Sequence, residues 1–101
     1  MVYVSSIGPV DQEGRVVSAA IGDQTRQCLG NLKAKLEAAG TSLDKVVWAN
    51  WSLRDPKEFD TFNEEWIRWF PADSPIGQET MMPQMQRRAG FRISIGVIAE
   101  A

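Results

Sequence analysis

Histidine is absent from this chain, so any chemistry must run on carboxylates, arginines, lysines, the tyrosine, hydroxyls or ordered water. That excludes Ser-His-Asp and Cys-His nucleophile systems, HExxH zinc sites and histidine acid–base catalysis. One cysteine, Cys28, cannot complete a zinc site without carboxylates supplying nearly every ligand. Three groups of residues remain as candidates. The stretch SPIGQETMMP (74–83) carries one charge, Glu79, and two residues with bare or amide character, Gly77 and Gln78. A cationic cluster follows, made of Arg87, Arg88 and Arg92, and could hold an anion. Hydroxyl donors come from Ser5, Ser6 and Ser94, and Trp48 offers a flat apolar surface.

Each candidate also has a plain structural reading. Cys28 lies on an apolar helical stripe and reads as core. The four tryptophans read mostly as core and contact residues, with Trp48 the one placed at a subunit contact or cleft. Arg87, Arg88 and Arg92 also fit a solvated loop and a strand edge, and Asn63 a structural hydrogen bond or cleft rim. Asp11, Glu13, Asp44 and Lys45 fall in turns as solvated charges.

The elements that would position these groups follow from periodicity. VYVSSI (2–7) reads as a strand, DQEG (11–14) as a turn and RVVS (15–18) as a return strand, giving a β-hairpin. Asp23 offers a capping oxygen, and Cys28, Leu29, Leu32, Leu36 and Ala39 recur at helical steps, predicting a helix from about Gln24 to Ala39 that closes at Gly40. LDKVVWANWSL (43–53) reads as a strand with Val47, Ala49, Trp51 and Leu53 on one face. Its other face carries Val46, Trp48, Asn50 and Ser52. Asp55-Pro56-Lys57-Glu58 places a cap, a first-turn proline and an acidic third position. A second helix should follow, with Phe59, Phe62 and Trp66, then Trp69 or Phe70, as its apolar stripe and Pro71 as its stop. FRISIGVIA (91–99) alternates as a closing strand, with Arg92, Ser94, Gly96 and Ile98 opposite the apolar set.

The order is about ββαβαββ: an α+β fold with a mixed sheet and two helices on one face, as a single domain over 1–101. The helix-free face would mix Val46, Trp48 and Ile98 with Asn50, Ser94 and Arg92, which predicts cover by a partner subunit. The 44% hydrophobic and 24% charged content is that of an ordinary globular protein, and a net charge of −2 disfavours nucleic acid and anionic membrane. No run approaches the ~20 apolar residues of a membrane span, and with no charged leader followed by an apolar stretch no signal peptide is expected. With a single cysteine, a reducing cytoplasmic setting is expected.

The segment from Gly22 to Pro71 resembles the RidA (YjgF-like) family. The resemblance rests on Gln24 to Gln27 (QTRQ), Asn31-Leu32, Leu36 with Ala39-Gly40, Ser42-Leu43 with Val46-Val47, and Asp55, Phe59 and Asn63. The closing FRISIGVIA is similar to the family's terminal strand. This likeness implies a chorismate-mutase-like fold, a homotrimer with a ligand cleft at each subunit boundary, and hydrolysis of reactive enamines and imines without metal or organic cofactor. In that chemistry an arginine grips the substrate carboxylate and a glutamate positions water. The resemblance puts the arginine at the third residue of Pro75-Ile76-Gly77, where this chain has Gly77, and the glutamate where it has Gly96. The family's cleft tyrosine lies in a stretch before the first residue of this chain, and its S-G-Q strand motif appears only in part as Ser5-Ser6-Ile7.

Three functional expectations follow. The first is a small-metabolite binder whose cleft keeps the family shape without imine hydrolysis. The second is an imine or enamine hydrolase of altered specificity using Arg92, Arg88 or Glu79. Loss of the carboxylate clamp would steer it from imino acids, since an unpaired carboxylate costs about 1–3 kcal/mol. The third, an RNA-directed endoribonuclease or translation inhibitor, is opposed by the acidic composition.

Overall fold

A computed structural model describes residues 1–70, 77–78 and 92–100, with the side chains of Ser5, Ser6, Asn50, Pro56, Gly77 and Gln78 outside that description. Strand β1 (Val2–Ile7) leads to helix α1 (Ile21–Ala38), strand β2 (Val46–Leu53), helix α2 (Phe59–Trp69), the two-residue strand β3 (Gly77–Gln78) and strand β4 (Ile93–Ala99). The sheet order is β1-β4-β2-β3. β4 is antiparallel to both of its neighbours, and β2 runs parallel to β3, so the sheet is mixed as expected.

Both helices pack on one face. Cys28, Leu29, Leu32 and Leu36 of α1 and Phe62 and Trp66 of α2 are buried against Ala49, Trp51 and Leu53 of β2 and Ile93, Ile95 and Val97 of β4. α1 begins at Ile21, three residues before the sequence expectation. Its N-cap is Ala20, with no side-chain cap, and Asp23 instead falls in the first turn, where an acid suits the positive helix end. At the other end Gly40 takes φ +86°, the left-handed closure anticipated from sequence. Before α2, Asp55 caps a 3-10 turn at Pro56–Glu58, its Oδ1 accepting from Lys57 N at 3.0 Å; α2 itself begins three residues later than expected, with Glu58 as its N-cap.

Three expectations about the strands need correction. RVVS is not a strand; its one ladder contact is an isolated antiparallel bridge between Val10 and Val16. The observed order is therefore βαβαββ. Asp11 explains why: its Oδ1 accepts from the N–H groups of Glu13 and Arg15, and a side chain that satisfies backbone donors competes with a ladder. The second strand starts at Val46 rather than Leu43, since Leu43–Lys45 forms a 3-10 turn. Val46 also lies in the core rather than on the helix-free face, at 1% exposure. A bulge causes this: Val46 pairs with Ala99 and Trp48 with Ile98, so one extra β2 residue inverts the alternation at that point. A second bulge in β1 lets Val4 and Ile7, three apart, pair with Val97 and Ile95.

The QTRQ block ties these layers together. Gln24 is fully buried; its Nε2 donates to Ser18 O at 2.7 Å and its Oε1 accepts from Arg92 N at 2.8 Å. Thr25 donates to Ile21 O, and Arg26 reaches the buried Glu65 of α2 at 3.0 Å. Gln27 donates to Asn31, which in turn donates to the carbonyls of Gly8 and Val10. Gln24→Leu takes the side-chain partner from the half-buried Ser18 carbonyl and Arg92 N–H together, so we expect a loss of about 1–3 kcal/mol in urea unfolding. A change under about 0.5 kcal/mol, the scale of an ordinary surface substitution, would contradict this role.

Candidate functional site

The face of the sheet without helices gathers several of the sequence candidates onto β2 and its neighbours. Outward positions follow from register with the core positions Ala49, Trp51 and Leu53. They are Trp48 beside Ile98, Asn50 beside Gly96, and Ser52 beside Ser94. On β1, Tyr3 pairs with Ile98 and extends the first of these rows. On the opposite side of β2, Gly77 pairs with Trp48 and Gln78 with Ala49. The positions where resemblance puts the arginine and the glutamate are thus brought to either side of β2, at Trp48 and Asn50. Both are in extended strand backbone rather than at a bend. Ser5 and Ser6 occupy the β1 bulge, between the pairs that flank Gly96 on β4.

The exposure pattern on this face is uneven. Tyr3 is 66% exposed, whereas Trp48, Ile98, Ser52 and Ser94 are half-buried and Gly96 is buried. A buried glycine beside Asn50 leaves backbone where the resemblance would put a carboxylate. The row from Tyr3 through Ile98 to Trp48 is an apolar and aromatic surface, with serine hydroxyls two residues further along β2 and β4.

Other candidates fall elsewhere. Asn63 is on α2, in the helix layer behind the sheet, and is half-buried there. The structure therefore does not join it to the Trp48 group. Arg92 lies just before β4, and its Nη1 is 3.1 Å from Glu58 Oε1, at the turn that starts α2. Sequence reasoning put Arg92 on the helix-free sheet face, free to hold an anion; its guanidinium is instead engaged by a carboxylate. The missed signal was Glu58, which reads as a helix-start acid and nothing more. Cys28 is fully buried and donates to Ile7 O at 3.5 Å; burial pushes its thiol up, keeping it protonated and inert. Glu79, Arg87 and Arg88 lie outside the described residues, as does Phe91.

Comparison with known proteins places the chain. The family model described as "Endoribonuclease L-PSP" matches residues 1–101. Protein mmf1, mitochondrial, of Schizosaccharomyces pombe is 40% identical over 75 residues, 74% of this chain and 46% of that protein. RutC family protein SSO3206 of Saccharolobus solfataricus is 38% identical over 101 residues, 99% of this chain and 79% of the relative. A human protein named 2-iminobutanoate/2-iminopropanoate deaminase is 29% identical over 99 residues, 97% of this chain and 71% of its own length. The crystal structure of yeast Mmf1 superposes with a TM-score of 0.87 at 27% identity, over 96% of this chain and 76% of that one. The chain thus spans about half of the fission-yeast relative's length and 71% to 79% of the other three. On a match over its whole length and relatives above 30% identity, the chain belongs to the Endoribonuclease L-PSP (YjgF/RidA) family.

Proposed function

We propose that the chain folds as one domain, assembles as a homotrimer and binds a small metabolite in clefts between subunits. In this reading it does not carry out the 2-imino-acid hydrolysis for which its human relative is named. One observation carries this reading: Gly77 and Gly96 flank β2 at Trp48 and Asn50, where resemblance calls for an arginine and a glutamate. Without a guanidinium fork there, a substrate carboxylate has no bidentate partner; without a carboxylate, water has no base. In this reading the β1 bulge at Ser5 and Ser6, Trp48, the short strand Gly77–Gln78 and Ser94 border the cleft.

The homotrimer is supported by the same face. Tyr3, Trp48 and Ile98 form an apolar row that neither helix covers, and such a surface favours a partner. The cytoplasm is the expected compartment; among the described residues no helix is long and apolar enough to cross a membrane.

A hydrolase of altered specificity is the second reading. It draws on Glu79 and Arg88, since Arg92 is engaged by Glu58. The endoribonuclease named in the family description is opposed by the net charge of −2.

Two measurements test the main reading. Light scattering should give a mass three times the 11.3 kDa of the chain. Ammonia release from 2-iminopropanoate generated in situ should equal the buffer rate. Turnover matching the human relative would sink the non-hydrolytic reading, and a monomer would remove its clefts.

A further inference from the structure

On the helix side of the molecule, away from the Trp48 face, α1 and the segment following β1 line an open surface depression of about 520 Å³. That volume is in the range of small-ligand sites. Its apolar lining comes from Ile7, Val10 and Ala34, and its charged lining is one anion and one cation, Asp11 and Lys35.

The walls are fixed before any ligand arrives. Asn31 Nδ2 donates to Gly8 O at 3.1 Å and Val10 O at 2.7 Å, holding the segment to α1, and Gln27 Nε2 donates to Asn31 Oδ1 at 2.9 Å. Asp11 is fixed by the Glu13 and Arg15 N–H groups. A carboxylate has about four acceptor sites on its two oxygens, so these bonds leave capacity for an incoming donor. A preformed wall removes most of the ordering cost of binding. Neither an anion nor a cation alone would match both charges, and a purely apolar molecule would desolvate them unpaired.

We propose that this depression, between α1 and residues 8–12, binds a small zwitterion with a compact aliphatic group, that is, a free aliphatic amino acid. Its ammonium faces Asp11, its carboxylate faces Lys35, and its side chain rests on Ile7, Val10 and Ala34.

The test is titration of the isotope-labelled full chain with L-valine, isobutylamine and isobutyrate, followed by backbone amide shifts. Valine should give saturable shifts centred on Gly8, Asp11, Ala34 and Lys35, with each half-zwitterion about tenfold weaker for want of one charge-assisted contact. Lys35→Gln, at an exposed position, should weaken valine while leaving isobutylamine unchanged, and Ala34→Trp should fill the depression and abolish the shifts. Absence of saturation, shifts centred on Trp48 and Ile98, or equal response to all three probes would overturn the proposal, as would valine binding unchanged in Lys35→Gln.

Discussion

Gly77→Arg combined with Gly96→Glu is expected to raise 2-iminopropanoate hydrolysis by this chain above the parent's rate. The gain should be about tenfold to hundredfold over the parent's rate, the arginine adding about 1.5–3 kcal/mol of carboxylate binding and the glutamate aligning the attacking water. Both substitutions suit the local backbone conformation. Gly77 and Gly96 sit in extended strands, where an arginine or glutamate adopts the same φ and ψ as glycine. Their register brings them to opposite sides of β2, at Trp48 and Asn50, so the two new side chains would share one surface. Gly77→Arg alone should lower KM for imino acids, because the fork binds substrate and transition state alike. The glutamate should act on kcat by aligning water. Ammonia release from the single and double variants separates these contributions. A double variant that keeps the parent's far-ultraviolet circular dichroism yet shows no gain in turnover would mean that these two groups are not what the cleft needs for hydrolysis.

That prediction depends on positions that sequence located by resemblance and only the sheet register could bring together. Elements with strong local signals were legible. The i, i+3, i+4 spacing of Cys28, Leu29, Leu32 and Leu36 gave α1, and Asp55 with Pro56 marked the turn that leads into α2. The errors have a common physical origin in features set by neighbouring strands. Val46 looks outward by simple alternation, and only pairing with Ala99 across a bulge turns it inward. RVVS has strand-like residues, yet Asp11 consumes the N–H groups that would start a ladder. Arg92 looked available because its partner, Glu58, is 34 residues away in sequence. The QTRQ signature carries a similar lesson. Gln24, Arg26 and Gln27 look like chemistry in a sequence, yet they join the layers through Ser18, Arg92, Glu65 and Asn31.

The largest expected loss of stability is at Phe62. The residue is fully buried at the centre of an aromatic cluster. Its ring centroid lies 5.3 Å from Trp51, 5.6 Å from Trp66 and 6.1 Å from Phe59. The cluster continues from Trp66 to Phe70 at 4.6 Å, so it joins α2 to β2 along much of the helix. Tilted rings at these separations add to area burial. Among the described residues the buried indole N–H groups of Trp51 and Trp66 have no hydrogen-bond partner, so these two rings are held by packing. Phe62→Ala removes the ring from between two tryptophans that α2 and the sheet fix in place, leaving a cavity that cannot collapse cheaply. The expected cost is about 3–5 kcal/mol, against a total stability of roughly 5–15 kcal/mol for a domain of this size. Phe62→Leu keeps most of the volume and should cost about half as much. Urea unfolding followed by tryptophan fluorescence reads both, because Trp51 and Trp66 report directly on the site. If subunit contacts also stabilise the fold, the Phe62→Ala midpoint will rise with protein concentration while the difference from Phe62→Leu at any one concentration stays fixed. A cost below about 1 kcal/mol for Phe62→Ala would mean the aromatic cluster is not what fastens α2 to the sheet.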